Sequence, residues 1–253
     1  MADRLKGKVA FVSGASSGLG ASAARALARE GAMVAVGARR EDRLASLVEE
    51  VEDEGGRALA VGCDVTDGGS VERAFDTIAT AHGHIDILVN SAGIGEAIAL
   101  VDTDEAAFDR HFDVNVKGLW RTSRTFSRAA IANGHGGSIV NIASMLALGA
   151  HPGQTLYCGT KGAVLQMTRA MAIELQSKGI RVNAVCPGYF SSEMTQGFEG
   201  SDAGASYIKR TPAKRFADPS ELDGAIIYLA SDEASFTTGA HLSVDGGHQA
   251  RLV

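Results

Sequence analysis

The sequence predicts a doubly wound α/β fold, a parallel sheet of about seven strands with helices on both faces. Three observations carry that expectation. Short apolar runs rich in Val, Ile and Ala recur along the 253 residues, the stretches between them are long and amphipathic enough for crossover helices, and a glycine-rich turn follows the first run. The runs are 9–13, 33–37, 58–63, 85–90, 138–144, 180–186 and 241–244, each read as a strand. They are apolar on both faces, as strands covered on both sides are, and right-handed crossovers should join them. Pro152, Pro187, Pro212 and Pro219 all fall outside the predicted strand and helix interiors. No Pro/Ser-rich linker or internal repeat divides the chain, so residues 1–253 are expected to form one domain. From Tyr189 to Pro219 the pattern loses strand character and turns polar, with Gly197, Gly200 and Gly204, which predicts a substrate lid around 189–219.

Composition removes several function classes. Hydrophobic residues make up 45% and charged residues 21%, enough to bury a core and too ordered a mixture for a disordered chain. With 24 Lys and Arg against 30 Asp and Glu the net charge is −6, the wrong sign for gripping a nucleic-acid backbone. No apolar run reaches ~18 residues and the chain opens on charged residues, so neither a membrane span nor a signal peptide is expected. Cys63, Cys158 and Cys186 show neither CxxC nor a Cys/His metal spacing, which predicts a cytoplasmic protein without a metal site.

The first strand runs into Ser13, Gly14, Ala15, Ser16, Ser17, Gly18, Leu19 and Gly20, and a helical run follows. Gly14 permits the turn, Gly18 lets backbone approach a pyrophosphate, and Gly20 allows close helix packing, while the helix start supplies free N–H donors. Glycines also close ordinary turns, but at the first strand-to-helix junction of a βαβ pattern they indicate a Rossmann-type dinucleotide site. Sites selecting NAD place an acid about 20 positions on; here the second strand ends in Gly37, Ala38, Arg39 and Arg40. Two guanidiniums suit a 2′-phosphate, with Arg39 the first candidate and Arg40 able to substitute, so NADP is favoured over NAD. As a plainer alternative, both arginines could be solvated charges at a helix start.

Further along stand Asn90-Ser91-Ala92-Gly93, Asn115, Ser144, Tyr157 with Lys161, and Pro187-Gly188. With the glycine loop, this set resembles the short-chain dehydrogenase/reductase family, in its shorter single-domain subgroup, over essentially the whole chain. Ser13, Ser91 and Ser192 depart from the usual Thr, Asn and Thr, each keeping a short polar side chain. The resemblance implies an NAD(P)-dependent oxidoreductase acting on a small ketone or secondary alcohol. It implies that Lys161 binds the nicotinamide ribose and that Asn115 holds a water linking Lys161 to solvent. Asp64, followed by Val65, would meet adenine; Asn90 would stabilise the central sheet and flank the cofactor with Ala92 and Gly93. Pro187, Gly188 and Ser192 would border the nicotinamide. Relatives pair through two long helices, expected here around 104–130 and 155–177, so a homotetramer is implied.

The residues themselves support the chemistry. Tyr157 and Lys161, four apart on a predicted helix, share a face, so an ammonium can stabilise the anion of a phenol whose ordinary pKa is about 10. Tyr157 can then serve as general acid or base. Ser144, at the carboxyl end of its strand, can hydrogen-bond the reacting oxygen. Asn115 lies beside the helical stripe of Phe108, Phe112, Val116 and Leu119 and could instead bond a buried carbonyl. The stripe Val164, Leu165, Thr168, Met171, Ala172 and Leu175 could be interface or simple core. Met145, Leu146, Leu148, His151, Gln154, Tyr189 and the lid are expected to face the substrate, which could be a 3-oxoacyl thioester, a sugar acid, a cyclic alcohol or a bulky ketone. Two rival readings are a non-catalytic NAD(P)-binding regulator of the same fold and a thiol enzyme using Cys158 or Cys186.

Overall fold

The computed structural model describes residues 3–250. The apolar runs become strands β1 (Val9–Ser13), β2 (Met33–Ala38), β3 (Arg57–Gly62), β4 (Ile87–Asn90), β5 (Gly137–Ile142), β6 (Ile180–Pro187) and β7 (His241–Val244). Between and after them run α1 (Gly18–Arg29), α2 (Glu41–Asp53), α3 (Gly68–His82), α4 (Glu105–Phe112), α5 (Leu119–Ala132), α6 (Thr155–Leu175), α7 (Gln196–Glu199), α8 (Asp202–Arg210) and α9 (Asp223–Ala230). Among the described residues the strands form one parallel sheet in the order β3-β2-β1-β4-β5-β6-β7. The chain winds outward one way from β1 to β3 and then back across to β4. The carboxyl ends of β1 and β4 therefore flank a crevice, the switch point where ligands bind in such sheets. No helix of the described residues is long and apolar enough to cross a membrane.

Period-two alternation builds the two faces. Ala10 and Val12 of β1 pack with Val34 and Val36 of β2 under α1, α2 and α9, whereas Val9 and Phe11 face the opposite cluster with Phe75, Ile78 and Phe126. Phe11 is fully buried and meets Phe75 edge-on at 5.2 Å; burying such a ring contributes roughly 1.5–3 kcal/mol. Gly37 is small because a Cβ there would lie 2.5 Å from the Phe11 ring.

Burial on both faces holds for β1, β2 and β4, and fails at β3, where only Val61 is buried. As an edge strand, β3 has one neighbour to cover it. The helix expected over 104–130 is interrupted: residues Asp113–Gly118 form a π-helical stretch between α4 and α5. Gly118 belongs there because a Cβ would come within 2.7 Å of Val65. Along α6, Val164, Leu165, Thr168 and Ala172 are buried in the chain's own core, with Met171 and Leu175 packed at its margin, so that stripe is core.

Candidate functional site

The switch point opens into a cleft of about 540 Å³. Of the residues singled out in the sequence, Gly14, Ser16, Ser17, Gly18, Leu19, Gly20, Arg39, Arg40, Asp64, Val65, Ala92, Gly93, Ser144, Tyr157, Lys161, Pro187, Gly188 and Ser192 line it. Asn90 and Asn115 do not.

The glycine loop is shaped by close approach. Gly14 and Gly18 adopt φ of 79° and 55°, where glycine is unstrained. A Cβ on Gly14 would lie 2.4 Å from the Ala92 nitrogen, and one on Gly20 would lie 2.3 Å from the Gly14 oxygen. The loop thus presses against the segment after β4 on one side and α1 on the other. Ser17 caps α1 with no side-chain hydrogen bond, and the first turn carries no acid, so the helix offers free N–H donors and its positive dipole end. This cradle fits a dinucleotide pyrophosphate.

Beyond the loop the cleft is charged and half-exposed. Arg40 donates to the Ser16 hydroxyl at 2.9 Å and to the Ser17 hydroxyl at 2.9 Å, and reaches Glu193 at 3.3 Å. Arg39 lies near Asp64. Burial would raise the Asp64 carboxyl, but hydrogen bonds from Thr66 and the Arg39 charge hold it below its ordinary value.

At the other end Ser144, Tyr157 and Lys161 converge. Ser144 follows β5, is buried, and its oxygen accepts from the Leu146 N–H at 3.1 Å, which caps a short helical turn. Lys161 is buried one helical turn after Tyr157; its ammonium donates to the Ile142 carbonyl at 2.8 Å and sits 5.6 Å from the Tyr157 ring centre. Gly95 lets the loop after β4 lie on that ring, since its Cβ would be 3.2 Å from Tyr157 Cε2. Burial pushes the phenol up to about 12, against a hydrogen bond with Ser144 that lowers it. Burial also pulls Lys161 down to about 8. Desolvation disfavours both the phenolate and the ammonium, and the ammonium is aimed at a carbonyl oxygen.

The two asparagines are internal. Asn115, on the π-helical stretch, accepts from the Ile94 N–H at 2.8 Å and donates to the Ile94 oxygen at 2.9 Å and to Thr160 at 3.0 Å. Its side chain thus ties the loop after β4 to α6, the carbonyl-bonding alternative noted in the sequence. Asn90 donates to Ser123 and Asn141 and accepts from Thr122, with Asn141 donating on to Thr168. It is a sheet-and-helix linker, one layer below the cleft surface. Cys63 and Cys186 are buried, and burial pushes their thiols up to about 12 and about 11, which opposes thiolate chemistry.

The segment 189–219 is pinned near both its ends by an isolated bridge between Phe190 and Ala217. It is less polar than its sequence suggests: Tyr189 stacks on Phe198, and Tyr207 and Phe216 pack edge-on or tilted against them with Met145 and Leu146. Met145, Leu146, Gln154 and Tyr189 line the main cleft; His151 lines a smaller cavity next to it, while Leu148 lines neither. Sequence reasoning missed Glu193 and Gly95, because an acid or a glycine in an irregular segment carries no periodic or motif signal.

Known proteins share this sequence pattern and fold. The family model described as enoyl-(acyl carrier protein) reductase matches residues 14–249. The chain is 37% identical over 244 residues to the 3-oxoacyl-(acyl-carrier-protein) reductase of Thermotoga maritima, covering 96% of this chain and 98% of that protein. A short-chain type dehydrogenase/reductase from Mycobacterium marinum shares the fold with a TM-score of 0.95 at 38% identity, covering 99% of this chain and 98% of that one. A gluconate 5-dehydrogenase from Burkholderia cenocepacia, solved in complex with NADP and tartrate, gives a TM-score of 0.94 at 36% identity over 99% of this chain and 98% of that one.

Proposed function

The chain belongs to the short-chain dehydrogenase/reductase family of oxidoreductases, and we propose that it transfers a hydride between a nicotinamide cofactor, NADP in preference to NAD, and a small ketone or secondary alcohol. What carries the reading is the presence, in one cleft, of a glycine-loop cradle at one end and Ser144, Tyr157 and Lys161 at the other. Bound NADP in the gluconate 5-dehydrogenase supports the cofactor class. When bound, the cofactor supplies or takes the hydride. Ser144 and Tyr157 hydrogen-bond the reacting oxygen, and the Tyr157 phenol, neutral at physiological pH, hands it a proton during reduction. Lys161 binds the nicotinamide ribose and places a positive charge 5.6 Å from the ring centre of the phenolate left behind. Asn115 acts as a positioning residue, holding Ile94 and α6 in register, and any water relay beyond Lys161 depends on that scaffold.

Asp64 and Val65 border adenine, Arg39 and Arg40 the 2′-phosphate, and Ala92, Gly93, Pro187, Gly188 and Ser192 the nicotinamide half. The segment 189–219 serves as a lid whose aromatic cluster walls the substrate space. A homotetramer is part of the proposal, supported by Trp120 on α5 and Ile173 on α6, large apolar side chains left exposed on this chain. So is a cytoplasmic location, which keeps the three free thiols reduced. The test is a panel of 3-oxo thioesters, sugar acids and cyclic ketones and alcohols, assayed in both directions with both cofactors by nicotinamide absorbance. Turnover of at least one class, faster with NADP, is expected; no turnover of any class with either cofactor overturns the proposal.

A further inference from the structure

The charged end of the cleft contains a contact that neither the glycine loop nor the proton-transfer residues explain. Glu193 lies between β6 and α7, on the segment that crosses the cleft, and its carboxylate is shared by two arginines from the start of α2. Arg40 reaches one carboxylate oxygen at 3.3 Å, and Arg43 donates to the other. Arg40 simultaneously donates to Ser16 and Ser17, so the same guanidinium spans the glycine loop and the segment. Hydrogen bonds from Arg43, then Arg40, hold Glu193 below the usual carboxylate range. All three side chains are about half exposed. Such pairs are weak and exchange partners readily, so an arriving anion meets little resistance beyond the carboxylate itself.

A phosphate monoester carries about −1.5 to −2 charge and three acceptor oxygens, against one charge and two oxygens for a carboxylate. Guanidinium forks bind either group, but not both in one place. We infer that Glu193 is a built-in competitor for the adenosine 2′-phosphate: held by Arg43, it occupies the Arg40 guanidinium that the phosphate needs, and thereby sets how far the site discriminates between 2′-phosphorylated and unphosphorylated cofactor. The inference rests on the reading of the cleft as a nicotinamide-cofactor site and adds a residue that opposes the preference created by the arginines. With a free ribose 2′-hydroxyl the Glu193 pairs remain in place. With a 2′-phosphate they must open, and the displaced carboxylate then stands beside a dianion, a repulsive element of the kind that tunes specificity.

The experiment is isothermal titration of wild type, Glu193→Gln and Glu193→Asp with adenosine 2′,5′-bisphosphate and adenosine 5′-monophosphate, and with NADPH and NADH. The fragments lack the nicotinamide, so binding is read without turnover. Glu193→Gln keeps size and hydrogen-bonding capacity while removing the charge. It is expected to tighten the 2′-phosphorylated ligands by about three- to tenfold, an effect that shrinks with added salt, and to change the others by less than about twofold. Glu193→Asp, which keeps the charge, is expected to stay near wild type. Equal changes for both ligand classes, no change, or weaker binding of the 2′-phosphorylated ligands by Glu193→Gln overturns the inference while leaving the cofactor reading intact. A wild type that binds none of the four ligands removes that reading and the inference together.

Discussion

At the Ser144 end of the cleft Ser144 and Lys161 are buried and each is held by a neighbour, whereas at the Ser16 end guanidiniums and a carboxylate sit half in solvent and share partners. One cleft therefore contains two electrostatic regimes. In the buried regime desolvation dominates and moves Tyr157 and Lys161 in opposite directions, both toward the neutral form. In the exposed regime direct pairing dominates, Glu193 stays ionised, and solvent screening limits what any one contact is worth. A substitution at the buried end should consequently be severe and insensitive to salt, and one at the exposed end modest and salt-dependent.

The largest expected effect is at Tyr157. Tyr157→Phe should bind cofactor and lose turnover by roughly a hundredfold or more, as removal of a positioned general acid does. Rates near wild type, measured under saturating cofactor, would break the claim that proton transfer belongs to the buried end. Lys161→Met comes next and separates stability from activity. Its folded pKa, about 8, lies below its ordinary 10.5, so between those values the unfolded chain holds a proton that the folded one has released. Wild-type stability should thus rise as pH climbs from about 8 to 10.5, and below 8 the buried charge costs its full amount. Lys161→Met should lose activity yet gain about 1–3 kcal/mol of stability at pH 7, and its melting temperature should lose that alkaline slope. A lower melting temperature than wild type at pH 7 would show that the Ile142 hydrogen bond outweighs the cost of burial.

The smallest effect sharpens the comparison from the exposed side. Arg40→Ala should weaken NADPH by about 1–2 kcal/mol at low salt, less at high salt, and leave NADH nearly unchanged. Arg39→Ala should do less, because Arg39 lies near Asp64 while Arg40 contacts the glycine-loop hydroxyls directly. Steady-state kcat/KM for both cofactors across a salt series decides the point; equal losses for the two cofactors would mean that the arginines act as general solvated charge.

Local pattern made much of the molecule legible. The strands 9–13 and 241–244 fall where the apolar runs put them, the glycine loop sits at the β1–α1 junction, and Tyr157 and Lys161 share a helical face. Each of these depends on residues within a few positions of one another, where period and turn chemistry leave few choices. The edge exposure of β3, the π-helical stretch that presents Asn115 to Ile94, and the retreat of Asn90 into the layer below the cleft depend on neighbours far along the chain. So does the pairing of Arg40 with Glu193, 153 residues away. Sequence by itself determined which side chains were available and on which elements they ride; tertiary structure decided which of them lose water and which meet, and so the sign of every shifted pKa, because desolvation and pairing arise only once distant segments pack together.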